Sequence, residues 1–350
     1  MKLKKINGTV SLAAAMSLWL VAAAQAEELV IVATGGGFGD ALAKHFYEPF
    51  TKETGIEIIK VLAPVGEQNT KLRAMQQSGN VEYDVVTTTT TSVIADADVY
   101  AELECSKIPN AVTMGVPGTC GERSLIRTVG AYMVTYNKKS FPGKKPDNWA
   151  DFWNVGDFPG SRCLIGGSTD NHIPFLIALL ADGVAPADLY PIDLDRALAK
   201  LNQLKPHIGA YWTSYSQSQQ LMRDGECDIS VMLNGRAFSL EKEGFPLGVS
   251  WNQAITSPAG WGIADGAPNS AAAYKFLNFW MTRPAAHLAF YQTFFYPTAN
   301  NQVVDMMEGT FREAYYGTPK NLKNQMALNA AWIGDNQELI NRTYANFLAQ

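Results

Sequence analysis

Amide, hydroxyl, glycine and guanidinium groups recur in this chain where apolar runs end. Thr34–Gly37 closes the run Glu28–Thr34, and Thr87–Thr91 with Ser92 closes Tyr83–Val86. Ser168–Asn171 follows Cys163–Ile165, and Asn234-Gly235-Arg236 follows Cys227–Leu233. If those runs are buried strands, each cluster lies at the carboxyl end of an open α/β sheet, where such sheets bind ligands. Glycine amides and threonine hydroxyls donate hydrogen bonds without bulk, which suits a small polar molecule. On this ground Thr34, Gly36, Thr89, Thr90, Asp170, Asn234 and Arg236 are candidate binding residues. Ser214 and Trp212 join them from the aromatic and hydroxyl cluster Tyr211–Tyr215. For the threonines, capping of the next helix is the competing role.

The same inventory offers nothing that reads as catalytic. GxSxG, HExxH and Walker patterns are missing from the sequence. His45, His172, His207 and His287 are scattered, three of them at apparent helix-surface or loop positions. The run Gly35–Gly39 after a strand hints at dinucleotide binding, but the third glycine of that fingerprint falls on Asp40. No cofactor and no metal is expected, because the cysteines lack CxxC spacing and no histidine stands near them.

The chain has 350 residues, enough for two domains, with 47% hydrophobic and 17% charged residues. Lys2, Lys4 and Lys5, the apolar run Val10–Val21 and Ala24-Gln25-Ala26 make a secretory signal peptide, with cleavage expected after Ala26 and export to the periplasm. That segment carries three lysines and no acid, so its loss makes the net charge of −5 three units more negative. A moderately acidic exported protein is a poor binder of nucleic acid or anionic membrane. An oxidising compartment invites disulfides, and four cysteines allow three connectivities. Cys105 and Cys120 flank a loop rich in proline and glycine, and Cys163 and Cys227 each begin an apolar strand. The expected pairs are therefore Cys105–Cys120 and Cys163–Cys227.

The elements that would carry the clusters follow in order. After Glu28–Thr34 comes a helix with Leu42, Phe46 and Phe50 on one face and Gly55 as its stop. A strand at Ile56–Leu62, a helix at Gln68–Gln77 and a strand at Tyr83–Val86 complete a parallel α/β layer. Val129–Tyr136 is a strand long enough to leave one lobe and enter another. Trp149–Trp153, Pro174–Leu180, Leu194–Leu204 and Gln217–Met222 read as helices, with strands at Cys163–Ile165, Cys227–Leu233 and Leu247–Trp251. Residues 258–263 carry the chain back to the first lobe. Ala271–Trp280, Pro284–Phe294 and Gln337–Leu348 are helices, the last capped by Asn336 or Asp335.

Five segments then carry a resemblance. Phe50–Ile56 (FTKETGI), Tyr83–Val86 (YDVV), Trp149–Trp153 (WADFW), Asp224-Gly225-Glu226 leading to Asn234-Gly235, and Tyr296-Pro297-Thr298 stand in the order and spacing of spermidine/putrescine-type periplasmic binding proteins. The resemblance implies an α/β receptor of periplasmic-binding-protein type, with two lobes, a hinge and a central ligand cleft, that delivers solute to an ABC permease as a monomer. Carried over by position, Asp170 matches an acidic ligand residue, Tyr296 an aromatic one, and Thr89 the place of a serine. Trp212 and Trp261 would serve as cage rings by cation–π contact, against plain core packing.

The departures point to the ligand. A second family carboxylate is replaced by Ile173, another finds only Ser257–Ala259, the tryptophan before Asn-Gly is Leu233, and the first aromatic pair is replaced by glycines. One anionic position remains, with Arg236 as a cation. Two ammonium groups would need two partners, since an unpaired buried charge costs about 3–5 kcal/mol. A monoamine or a zwitterion such as a short amino acid is expected, its ammonium on Asp170 and its carboxylate on Arg236. A helix cap at Asp170 and a salt bridge at Arg236 are the competing roles. An organic anion is the alternative ligand, and an exported enzyme the remaining reading. Crossovers near Val134 and Ala254 divide the chain into 27–134 plus 254–304 and 135–253 plus 305–350.

Overall fold

The computed structural model describes residue 1 and residues 27–350, apart from 34, 117, 168, 169, 315–318 and 324. The signal segment, Thr34, Ser168 and Thr169 thus lie outside the described residues. Nine strands form one sheet: β1 (Glu28–Ala33), β2 (Glu57–Leu62), β3 (Val85–Thr89), β4 (Leu125–Asn137), β5 (Arg162–Ile165), β6 (Ile208–Trp212), β7 (Ile229–Leu233), β8 (Leu247–Ile263) and β9 (Met326–Ala327). Their order is β2-β1-β3-β8-β4-β7-β5-β6, with β9 beside β8. β1 pairs in parallel with β2 and β3, and β5 in parallel with β6 and β7. Parallel pairs need crossover helices on the sheet faces, so each trio is the centre of its own α/β lobe.

β4 and β8 join the lobes. They pair with each other in antiparallel register, while β3 takes only Ala259–Ile263 of β8 and β7 takes Tyr132–Tyr136 of β4. Both strands therefore run from one lobe into the other. The first lobe packs Leu42, Phe46, Phe50, Phe276 and Trp280 behind β1 and β3. The spacing of Leu42, Phe46 and Phe50 passes through a π turn at Ala43–Tyr47 that widens the helix, and Gly55 ends it with φ 76°. Each of these three rings or side chains is fully buried, worth roughly 1.5–3 kcal/mol apiece. The second lobe packs Phe152, Phe175, Leu179 and Leu201, and the C-terminal helix Gln337–Ala349 joins it through Ile340, Tyr344 and Phe347.

Both disulfides form as expected, Cys105–Cys120 with Cα atoms 6.0 Å apart and Cys163–Cys227 with Cα atoms 5.6 Å apart. Asp84, in the second matching segment, is buried and accepts from the backbone N–H groups of Val30 and Asn269 at 2.8 Å each. It ties β1 to the start of the helix Ser270–Trp280.

Four readings of the sequence are corrected. β8 is one 17-residue strand rather than two separate pieces. Its bend sits at Gln253, where φ is 61°, and Trp149 holds that bend by donating its indole N–H to the Gln253 carbonyl at 2.9 Å. β6 went unseen because it is short and contains Gly209, and the helix Asn234–Lys242 because its polar residues mask the turn pattern. Three of the four histidines were expected at helix-surface or loop positions, but His172 and His287 are both buried, since the faces that carry them turn toward the cores. Asn336 does stand at the start of the last helix, but its amide donates to the Trp332 carbonyl and makes no cap.

Candidate functional site

Where the two lobes meet, segments far apart in sequence bring polar side chains together. The turn after β5 presents Asp170. After β6, Ser214 caps the helix Tyr215–Arg223, its hydroxyl accepting from the Gln217 N–H at 3.3 Å. That cap fixes the first helical residue, Tyr215, whose hydroxyl donates to Asp170 Oδ2 at 2.7 Å. The buried Tyr132 of β4 joins this pair. Burial, and then the charge of Asp170, push the Tyr132 and Tyr215 phenols well above their ordinary range, so both stay protonated donors.

A cation stands on the other side. Asn234 is fully buried, its Oδ1 accepting from the Ala131 N–H at 2.9 Å and its Nδ2 donating to the Phe295 carbonyl at 2.8 Å. This clip draws residues 295–298 against β4, where Val129 N–H donates to the Pro297 carbonyl at 2.7 Å. Gly235 lets the ring of Tyr296 lie on the helix start, because a Cβ there would collide with that ring. The Tyr296 hydroxyl meets the Arg236 guanidinium; burial raises the phenol's pKa and Arg236 opposes the rise. Nε of Arg236 is buried and without a partner. Tyr215 also feels Tyr296 electrostatically. Asp170, Tyr215, Tyr132, Tyr296 and Arg236 thus form one cluster with a carboxylate at one side and a guanidinium at the other.

The remaining expected residues fall elsewhere. Thr89 Oγ1 accepts from the Ser92 N–H at 3.1 Å, which is the helix-capping role, and Thr90 donates to the Pro258 carbonyl at 3.1 Å. Gly36 opens the first helix at φ 67°, a conformation that accounts for glycine there. Trp212 is buried and donates to the Val231 carbonyl at 3.2 Å, while Trp261 packs edge-on against Phe276 and Trp280. Both tryptophans are core rings. Among the described residues there is no group of three side chains able to hold a metal, and no helix is long and apolar enough to cross a membrane.

Tyr132 and Tyr215 were not among the candidates read from the sequence. Tyr215 stood in the cluster Tyr211–Tyr215, and the cap residue before it was the available signal.

Two α/β lobes, two connecting strands and a polar cluster at their junction define a solute receptor of the periplasmic-binding-protein class. The comparisons make this specific. Residues 45–315 match the model of the family described as bacterial extracellular solute-binding protein, and the chain belongs to that family. It is 31% identical over 332 residues to the gamma-aminobutyric acid-binding protein of Pseudomonas aeruginosa, covering 92% of this chain and 91% of the relative. It is 27% identical over 296 residues to spermidine/putrescine-binding periplasmic protein 1 of Haemophilus influenzae, covering 79% and 78%. The crystal structure of an ABC transporter substrate-binding protein from Bradyrhizobium japonicum superposes with a TM-score of 0.82 at 32% identity, covering 92% of this chain and 99% of that one. The protein is a solute-binding component of an ABC importer and not an enzyme.

Proposed function

We propose that the protein captures a small amine-bearing solute of the short amino-acid type in the periplasm and passes it to a membrane permease. The observation that carries this reading is the Asp170 carboxylate bound by the Tyr215 and Tyr132 hydroxyls, in a cluster whose Tyr296 meets a guanidinium. An ammonium on Asp170 gains a charged partner, and the tyrosine rings flank its methylene stem. A diamine would leave its second ammonium facing a cation, at a penalty of about 3–5 kcal/mol. A zwitterion meets opposite charge at both ends, and Arg236 is the guanidinium that the sequence nominates for the carboxylate. The likeness to a gamma-aminobutyric acid-binding relative supports the same ligand class.

The mature protein begins after Ala26, acts as a monomer, and closes 27–134 plus 254–304 onto 135–253 plus 305–350. Asp170→Asn tests the amine reading: calorimetry should show γ-aminobutyrate binding weakened by about 2–3 kcal/mol. Unchanged affinity would sink it. A thermal-shift screen of amines, amino acids and organic acids identifies the ligand, since a solute at about 100 times its Kd adds about 2.7 kcal/mol.

A further inference from the structure

Arg127 is a second cation near the same junction. In the β4–β8 ladder Ile126 pairs with Gly260 and Thr128 with Ala259, so Arg127 is the extra residue of a β-bulge. Bulges re-aim a side chain out of the strand's alternation and gather beside functional sites. The guanidinium lies between two ring faces, with Cζ 4.5 Å from the Trp261 centroid and 5.3 Å from the Phe38 centroid. Only 4% of the residue is exposed. Its one hydrogen bond among the described residues runs from Nη1 to Thr87 Oγ1 at 3.3 Å, and its buried Nε has no partner.

A guanidinium has five N–H donors and no acceptor capacity, so one with a single hydroxyl partner and an idle Nε has donors suited to an anion. Burial lowers its pKa to about 10, which leaves it cationic at neutral pH. Phe38 is the link to the cluster above: its ring is 6.2 Å from that of Tyr296, edge-on. A row of Arg127, Phe38, Tyr296, Tyr215 and Asp170 thus runs from a cation in the first lobe to an anion in the second. Arg236 has one hydroxyl partner and an idle Nε as Arg127 does, but it follows β7 in the same lobe as Asp170, whereas Arg127 stands in the opposite lobe.

We propose that Arg127, and not Arg236, receives the carboxylate of the solute, so that an ω-amino acid is held by its carboxylate in one lobe and its ammonium in the other. This rests on the amine reading of Asp170. The test is calorimetry on the mature protein with a panel of ω-amino acids of three to six carbons, n-butylamine and butyrate. The wild-type protein should bind its preferred amino acid at least about tenfold tighter than n-butylamine. Arg127→Gln should weaken the amino acid by about 30-fold or more, the range for losing one partner of a charged pair, while n-butylamine stays within about twofold. Arg236→Gln should weaken the amino acid less than Arg127→Gln does. Thr87→Val, nearly isosteric, removes the bond that orients the guanidinium; a loss of a few-fold for the amino acid alone is expected.

If Arg127→Gln keeps the wild-type preference for the amino acid over n-butylamine, the proposal is overturned. Should that variant not fold by circular dichroism, the same outcome in Thr87→Val overturns it. Asp170→Asn separates the two ideas. If it leaves every affinity unchanged while Arg127→Gln weakens the amino acid and butyrate, the amine reading fails and Arg127 stands. A wild-type protein that binds nothing in the panel overturns both.

Discussion

Each lobe buries one arginine, and the two are treated in opposite ways. In the second lobe Arg162 is 0% exposed, and its guanidinium donates to three carbonyls: Phe152 at 3.0 Å, Gly160 at 2.6 Å and Phe158 at 2.5 Å. In the first lobe Arg127 has a single hydroxyl and two ring faces. Burial lowers both pKa values to about 10. The Asp228 carboxylate opposes the shift at Arg162 and the Tyr47 phenol the shift at Arg127, and the hydrogen bonding of the two guanidinium groups differs. A buried cation with a carbonyl on each of its three nitrogens acts as a structural clasp, whereas one with an unpartnered Nε keeps a donor for the anion proposed above.

Substitutions at these and neighbouring positions test the contrast. The largest effect is expected at Arg162→Met, which takes the donor from two buried carbonyls and one half-buried one and should lower stability by about 3–5 kcal/mol in urea unfolding. A loss below about 1 kcal/mol would show that the carbonyl cage is not structural. The disulfides extend the comparison between lobes. Cys163–Cys227 closes a separation of 64 residues and Cys105–Cys120 one of 15. By chain entropy their removal should cost about 4 and about 3 kcal/mol respectively. Equal costs measured on the two double-alanine variants would argue against an entropic origin.

The lobes also bury one histidine each. His287 donates from Nε2 to the Trp280 carbonyl at 2.6 Å, and burial lowers its pKa to about 4. The unfolded chain binds that proton near 6.5, so this contribution is whole above pH 6.5 and falls as pH drops toward 4, by about 3 kcal/mol in all. His287→Gln should flatten that slope in unfolding measured at pH 7 and pH 4.5. Burial lowers His172 in the same direction, opposed by Asp170, and the slope remaining in the variant reports on it. The smallest effect belongs to Arg127→Met. Removing an unpaired buried cation should leave unliganded stability unchanged or raise it by about 1 kcal/mol. A loss comparable to Arg162→Met would erase the distinction drawn here.

Much of this was open to a reader of the amino acids alone. The apolar runs marked β1, β3, β5 and β7, glycine stops marked helix ends, and the clusters after the runs led to Asp170 and Arg236. Two features were hidden for the same reason. Whether Trp212 and Trp261 face a cleft or a core is decided by what packs on them from distant segments, and no local spacing carries that. The direction of Arg127 depends on a bulge set by its pairing with β8, more than a hundred residues later. Tyr132 is likewise placed by its register with Leu233. The single length of β8 was obscured by Gln253, whose left-handed backbone is held by two hydrogen bonds from Trp149.

β4 carries Arg127 at its first-lobe end and Tyr132 where it enters the second lobe. A solute gripped at both residues would pull on one ribbon of backbone from opposite directions. Flexing between the lobes would pass through β4 together with its neighbour β8, so tension from cargo and part of the pivot would share the same few peptide links of β4. Loading would then be felt at the fulcrum without any relay of side chains between them.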